Sequence, residues 1–139
     1  GNILNSKKGA FGAGADRFED KLTSLKSFGT KYLSGNISGD LIVWIGTSIA
    51  KKSKKAMFTK PIDAIFTTTD FAFVGDRNGN VIILNDQLQR LHGFNITAEK
   101  EILQSMDIGI NAFFYEEGRL IIGTRGNEVY EYSFSIENG

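Results

Sequence analysis

One pattern constrains this chain more than any other: it states the same arrangement of apolar residues and glycine-rich turns three times. Take Gly35, Gly75 and Gly123 as anchors and allow no gaps. Leu22, Ile62 and Ile110 then stand thirteen positions before them, Leu25, Ile65 and Phe113 ten before, and Leu33, Phe73 and Ile121 two before. Downstream the match continues, with Leu41, Val81 and Val129 six after, and Trp44, Leu84 and Tyr132 nine after. The anchors lie 40 and 48 residues apart, which is the ~40–45-residue period of a four-stranded propeller blade with one insertion.

Each unit also parses locally. "IDAIF" and "INAFF" read as first strands, and "FAFVG" and "RLIIG" as second strands rich in residues that suit a pleated surface. Turns such as Ser38-Gly39 and Asn78-Gly79 separate two apolar runs, where a reversal needs backbone angles that glycine and asparagine tolerate. Third strands follow at Leu41 to Trp44, Val81 to Leu84 and Val129 to Tyr132, and "SIAKKSKKA" and "LQRLHGF" suit polar outer strands at a solvated edge. Helix-forming composition is confined to "AEKEILQS", residues 98–105, where the longer spacing needs its insertion. The expected fold is all-β: a partial β-propeller of about three four-stranded antiparallel blades near 21–57, 61–96 and 107–136, within a propeller fragment over 21–139 and after a flexible leading loop over 1–20. Phe66, Phe71, Phe73, Phe113 and Phe114 are expected to fill the wedges between blades, and Trp44 to be structural.

A blade cannot cover both its faces alone, and propellers solve this by closing a ring of ~4–8 blades. This chain supplies three. Either further blades belong to a longer parent, as a start at Gly1 rather than Met suggests, or several copies form a homo-oligomer that completes the ring through the terminal blade faces.

Composition limits the chemistry. A hydrophobic fraction of 41% with 23% charged residues fits a globular domain, and zero formal charge offers no whole-chain field for nucleic acid or a membrane surface. Cysteine is absent, which removes disulfides and thiolate metal sites and fits a reducing, cytoplasmic setting. The glycosylation patterns at Asn36 and Asn95 are read as chance matches. The single histidine, His92, sits in an outer strand, and one imidazole without cysteine makes no transition-metal site. Asp76 aligns with Asn36 and Thr124, so its role is read as turn chemistry rather than catalysis or calcium binding. "GAFGAGAD", residues 9–16, lacks the Lys-Ser/Thr pair of a phosphate loop. No catalytic residue, cofactor or metal is expected.

One local charge stands out. Lys51, Lys52, Lys54, Lys55 and Lys60 fall within ten residues, whereas residues 97 to 131 carry seven acids against three bases. Lysines of this kind either protect an outer strand from edge pairing or dock an acidic partner. "SGNISGDLIVWIGTSI" (34–49) and "LIIGTRGNEVYEYSF" (120–134), with "KKGAFG" and "KLTSLKSFGTKYLSG" upstream and "GDRNGNVIILNDQLQRLHGF" between, resemble the first propeller of the echinoderm microtubule-associated-protein-like (EMAP-like) family, a divergent branch of the WD40 repeats. The resemblance covers about residues 7 to 134 and implies WD40-like blades in a non-catalytic, cytoskeletal scaffold that binds tubulin or microtubules. The alternative is a general protein-interaction propeller in a signalling or ubiquitin-ligase assembly. The chain lacks the Gly-His and Trp-Asp dipeptides of ordinary WD40 blades, so their hydrogen-bond networks are not expected.

Overall fold

The computed structural model describes residues 1–6, 21–53, 58–98 and 107–133. Among them, three antiparallel sheets follow one another along the chain. The first holds β1 (Leu22–Phe28), β2 (Lys31–Asn36), β3 (Leu41–Ile45) and β4 (Ser48–Lys52). The second holds β5 (Ile62–Thr67), β6 (Ala72–Asp76), β7 (Asn80–Leu84) and β8 (Arg90–Asn95), and the third β9 (Ile110–Glu116), β10 (Arg119–Thr124) and β11 (Val129–Ser133). Every sheet is a meander in which each strand pairs with its sequence neighbour. Adjacent sheets approach each other most closely along β1, β5 and β9, as blades do around a propeller axis.

The repeat in the sequence is a repeat in backbone geometry. Gly35, Gly75 and Gly123 are each the penultimate residue of their sheet's second strand. Beside each one the first strand carries a bulge, with Thr23, Asp63 and Asn111 as the extra residues. A bulge shifts the alternation by one, so residues three apart such as Ile62 and Ile65 share a face, and both enter the same core.

The residue after each anchor fixes the turn that follows. The Asp76 carboxylate accepts the backbone N–H groups of Asn78 and Asn80, both at 2.9 Å. Asn36 accepts those of Ser38 at 3.0 Å and Asp40 at 2.8 Å, and the Thr124 hydroxyl accepts that of Glu128 at 3.2 Å. Each of these turns contains a left-handed residue four positions after the anchor: Gly39 (φ 90°), Gly79 (φ 82°) and Asn127 (φ 64°). Asparagine substitutes for glycine there because its short polar side chain tolerates that region.

Two apolar cores fill the joints between sheets. Leu33, Leu41 and Val43 of the first sheet pack with Ile62, Ile65, Val74 and Leu84 of the second. Phe73, Val81 and Ile83 of the second pack with Ile110, Leu120 and Ile122 of the third. Each joint is keyed at the glycine: a Cβ built on Gly35 would lie 2.6 Å from the Ile62 side chain, and one on Gly75 would lie 2.5 Å from that of Ile110. Glycine is required there because the next sheet's isoleucine occupies the space.

Several expectations need adjusting. The third sheet has three strands among the described residues, not four. Of the five wedge phenylalanines, Phe73 is fully buried and Phe66, Phe71 and Phe113 pack around it, but Phe114 is half-exposed and meets only the edge of Phe66 among the described ring contacts. It stands one position on from Phe113, so strand alternation turns it from the buried cluster, and it lies half in solvent at the margin of the joint, against Phe66 of β5. Ala98 ends a 3-10 turn (Ile96–Ala98). The rest of "AEKEILQS" and all of "GAFGAGAD" lie outside the described residues.

Candidate interaction surfaces

Lys51 and Lys52 are exposed on β4, the strand farthest in its sheet from β1, opposite Val43 and Ile42. Being consecutive on a strand, they project to opposite faces. The strand's end is tied down by Ser53, whose N–H donates to the Leu41 carbonyl and whose hydroxyl accepts the Leu41 N–H, both at 2.9 Å. Lys60 is exposed on a separate segment leading to the second sheet. That segment packs against the 36–40 turn, where a Cβ on Gly39 would lie 2.8 Å from the Lys60 carbonyl oxygen. Lys54 and Lys55 lie outside the described residues. The structure therefore brings Lys51 and Lys52 together on one edge and puts Lys60 on a neighbouring loop.

A second charged group was not singled out from the sequence. Asp63, the bulge residue of β5, accepts Arg77 Nη2 at 3.0 Å and Nε at 3.3 Å, and pairs with Arg125 Nη1 of the third sheet at 3.6 Å. Arg125 Nε also lies 3.4 Å from Asp107. The hydrogen bond that Arg77 donates to Asp63 raises the Arg77 pKa above its ordinary value, against the opposing effect of burial. Two arginines against two carboxylates make a balanced tie between sheets rather than an open ionic site. A signal existed: Arg77 and Arg125 both stand two positions after an anchor glycine.

An open groove of about 400 Å³ runs along the first strands, lined by Ser24, Leu25, Asp63, Ala64, Asn111 and Phe113. Its one carboxylate is already engaged by two arginines. His92 lies exposed on β8 with its ring 6.1 Å from that of Phe94. Trp44 donates its indole N–H to the Ser34 hydroxyl at 2.8 Å, across the β2–β3 pair. Among the described residues, no three His, Asp or Glu side chains are grouped so as to hold a metal ion, and no helix is long and apolar enough to cross a membrane.

The two ends of the array differ from its joints. Leu22 and Leu25 on β1 are 50% and 59% exposed, although the matched Ile62 and Ile65 are buried. Val129 on β11 is 72% exposed, whereas the matched Leu41 and Val81 are fully buried. Leu22, Leu25 and Val129 are therefore uncovered at positions that seal the joints, whereas Ser34 and Ile42, matched to the joint residues Val74 and Ile82, are fully buried on the first sheet.

No protein-family model and no curated protein matches the chain. Solved structures do. The computationally designed Ika4 protein superposes with a TM-score of 0.63 at 15% identity, covering 82% of this chain and 66% of that one. The β-propeller domain of Cps50 (Swd1) from Myceliophteria thermophila does so with a TM-score of 0.63 at 12% identity, covering 94% of this chain and 41% of that one. Raptor from Chaetomium thermophilum matches with a TM-score of 0.63 at 18% identity over 84% of this chain and 11% of that one. The chain thus spans less than two thirds of each. At these identities the likeness concerns the fold: the chain is an open, partial β-propeller of three WD40-like blades.

Proposed function

We propose that this chain is a non-catalytic scaffold that binds other proteins through its blade surfaces. One observation carries the reading. The polar residues that would serve chemistry best, Asp76, Asn36 and Asp63, are engaged in holding turns and joining sheets. What the molecule presents outward is an array of three sheets with exposed apolar residues at both ends, Leu22, Leu25 and Val129, and a lysine edge, which suits recognition of a macromolecular partner.

The finer form of this proposal is an EMAP-like, cytoskeletal scaffold that docks the acidic tails of tubulin through Lys51, Lys52, Lys54, Lys55 and Lys60. It rests on the resemblance of residues 34–49 and 120–134 to that family and on the exposure of Lys51, Lys52 and Lys60. Microtubule co-sedimentation tests it. Saturable binding that weakens as salt rises, and that falls at least about tenfold when the five lysines are replaced by alanine, is the expected result. No binding at low salt would reject the microtubule reading and leave the general interaction propeller, in a signalling or ubiquitin-ligase assembly, as the one to pursue.

A further inference from the structure

We propose that two copies of this chain associate head to tail, the Leu22–Leu25 face of one seating on the Gly123 face of the other. The molecule itself supplies the template, because the same joint is built twice within it. Ile62 occupies the space beside Gly35, and Ile110 occupies the space beside Gly75. Each isoleucine stands thirteen positions before the anchor of its own sheet. Gly123 completes the series of notches, and among the described residues nothing lies within 4 Å of a Cβ built there. Leu22 completes the series of knobs and is half-exposed. Among the described residues there is therefore one unfilled notch and one half-exposed knob, at opposite ends of the array.

The surroundings match as well. Beside the notch, Val129 is exposed at the position where Leu41 and Val81 are buried by a following sheet. Beside the knob, Leu25 is exposed at the position where Ile65 is buried by a preceding sheet. A contact between such unlike surfaces is heterologous, and it ends in a closed assembly only if the rotation closes. Two copies bring six sheets together, within the ~4–8 blades of closed propellers, whereas three copies exceed that range. This is why a second copy, rather than a longer string, is the occupant. The match is not uniform: Glu131 stands where Val43 and Ile83 are buried in the internal joints, and it pairs with Arg119. That charged pair makes the joint between copies more polar than the internal ones, and the association reversible.

Sedimentation velocity of the 139-residue chain from about 1 to about 200 µM, a range that spans modest affinities, tests the proposal. The mass should rise toward that of a dimer with concentration. Gly123→Val should raise the dissociation constant at least about tenfold, while leaving the melting temperature of the dilute chain unchanged or higher, since among the described residues nothing lies within 4 Å of the added Cβ. Leu22→Asp should weaken association to a similar degree. A chain that stays monomeric throughout, as expected if the faces are made for further blades of a longer polypeptide, would overturn the proposal. So would self-association that both variants leave unchanged.

Discussion

The two internal joints share a backbone plan and differ in what fills them. Between the first and second sheets the filling is largely aliphatic, with Leu33, Leu41 and Val43 against Ile62, Ile65 and Leu84. Between the second and third it is aromatic: Phe73 lies 4.9 Å from Tyr115, 6.3 Å from Phe66 and 6.3 Å from Phe113, and Phe94 lies 5.0 Å from Tyr132. The glycine notch and the bulge set how two blades meet. Side-chain volume can then vary, provided that a large residue on one sheet is met by space on the next. Tilted ring pairs also contribute ~0.5–1.5 kcal/mol each beyond the area they bury. They suit a joint in which many of the surrounding side chains are only partly covered.

The sharpest test of that difference uses the position two before each anchor. Phe73→Ala should cost ~3–5 kcal/mol, the largest effect expected of any single change here, because a fully buried ring with three aromatic neighbours is lost. Leu33→Ala, at the matched place in the aliphatic joint, should cost ~2–5 kcal/mol, toward the lower part of that range. Ile121→Ala, on the uncovered face of the third sheet, should cost about 1 kcal/mol or less in the dissociated chain. Urea unfolding monitored by circular dichroism gives all three. If Ile121→Ala proved as damaging as Phe73→Ala, the distinction between joints and open faces would fail.

A smaller effect probes the notch instead of the filling. Gly35→Ala and Gly75→Ala each place a methyl within 2.6 Å and 2.5 Å of an isoleucine on the next sheet, and overpacking of this kind costs ~1–3 kcal/mol. Because the two distances are nearly equal, the two losses should be nearly equal despite the different fillings. Melting temperatures would decide this. A loss at one site alone would mean that the joints are not built on one plan.

Most of the fold could be read before the structure, because a blade is specified by residues close in sequence. The apolar offsets from Gly35, Gly75 and Gly123 carry the strands, and the polar residue after each anchor carries the turn. Asp76 was legible as a turn residue for the same reason: its bonds run to residues two and four positions away. What could not be read depended on contacts across sheets. Nothing in "IDAIF" announces that Asp63 is a bulge residue whose carboxylate reaches Arg125 in the next blade, since the two are far apart in sequence. Nor does the run "AFF" say that Phe113 enters the wedge and Phe114 stays half-exposed at its margin until the bulge at Asn111 fixes the phase. The lysine run was legible both as charge and, through strand alternation, as side chains on opposite faces, so Lys51 and Lys52 make an edge rather than a one-faced patch.

Ion pairs extend the comparison of the joints at the smallest scale. Lys31 on β2 reaches Asp86 of the second sheet at 3.1 Å, with the carboxylate half-exposed. Across the other joint, Arg125 reaches Asp63, whose side chain is only 11% exposed, and Asp107 as well. Exposed pairs contribute little, ~0–1 kcal/mol, because water screens them and two side chains must be ordered. Lys31→Ala should therefore lie near the bottom of that range and Arg125→Ala near its top. Salt should erode the first contribution more than the second, since screening acts most on charges in contact with solvent. Double-mutant cycles, Lys31→Ala with Asp86→Ala and Arg125→Ala with Asp63→Ala, measured at low and high salt, separate the two couplings. In the second cycle the Arg77–Asp63 bond is lost in both variants that lack Asp63, so it cancels from the coupling. A coupling at Lys31–Asp86 that equals or exceeds the one at Arg125 would mean that burial of Asp63 does not govern the strength of the second tie.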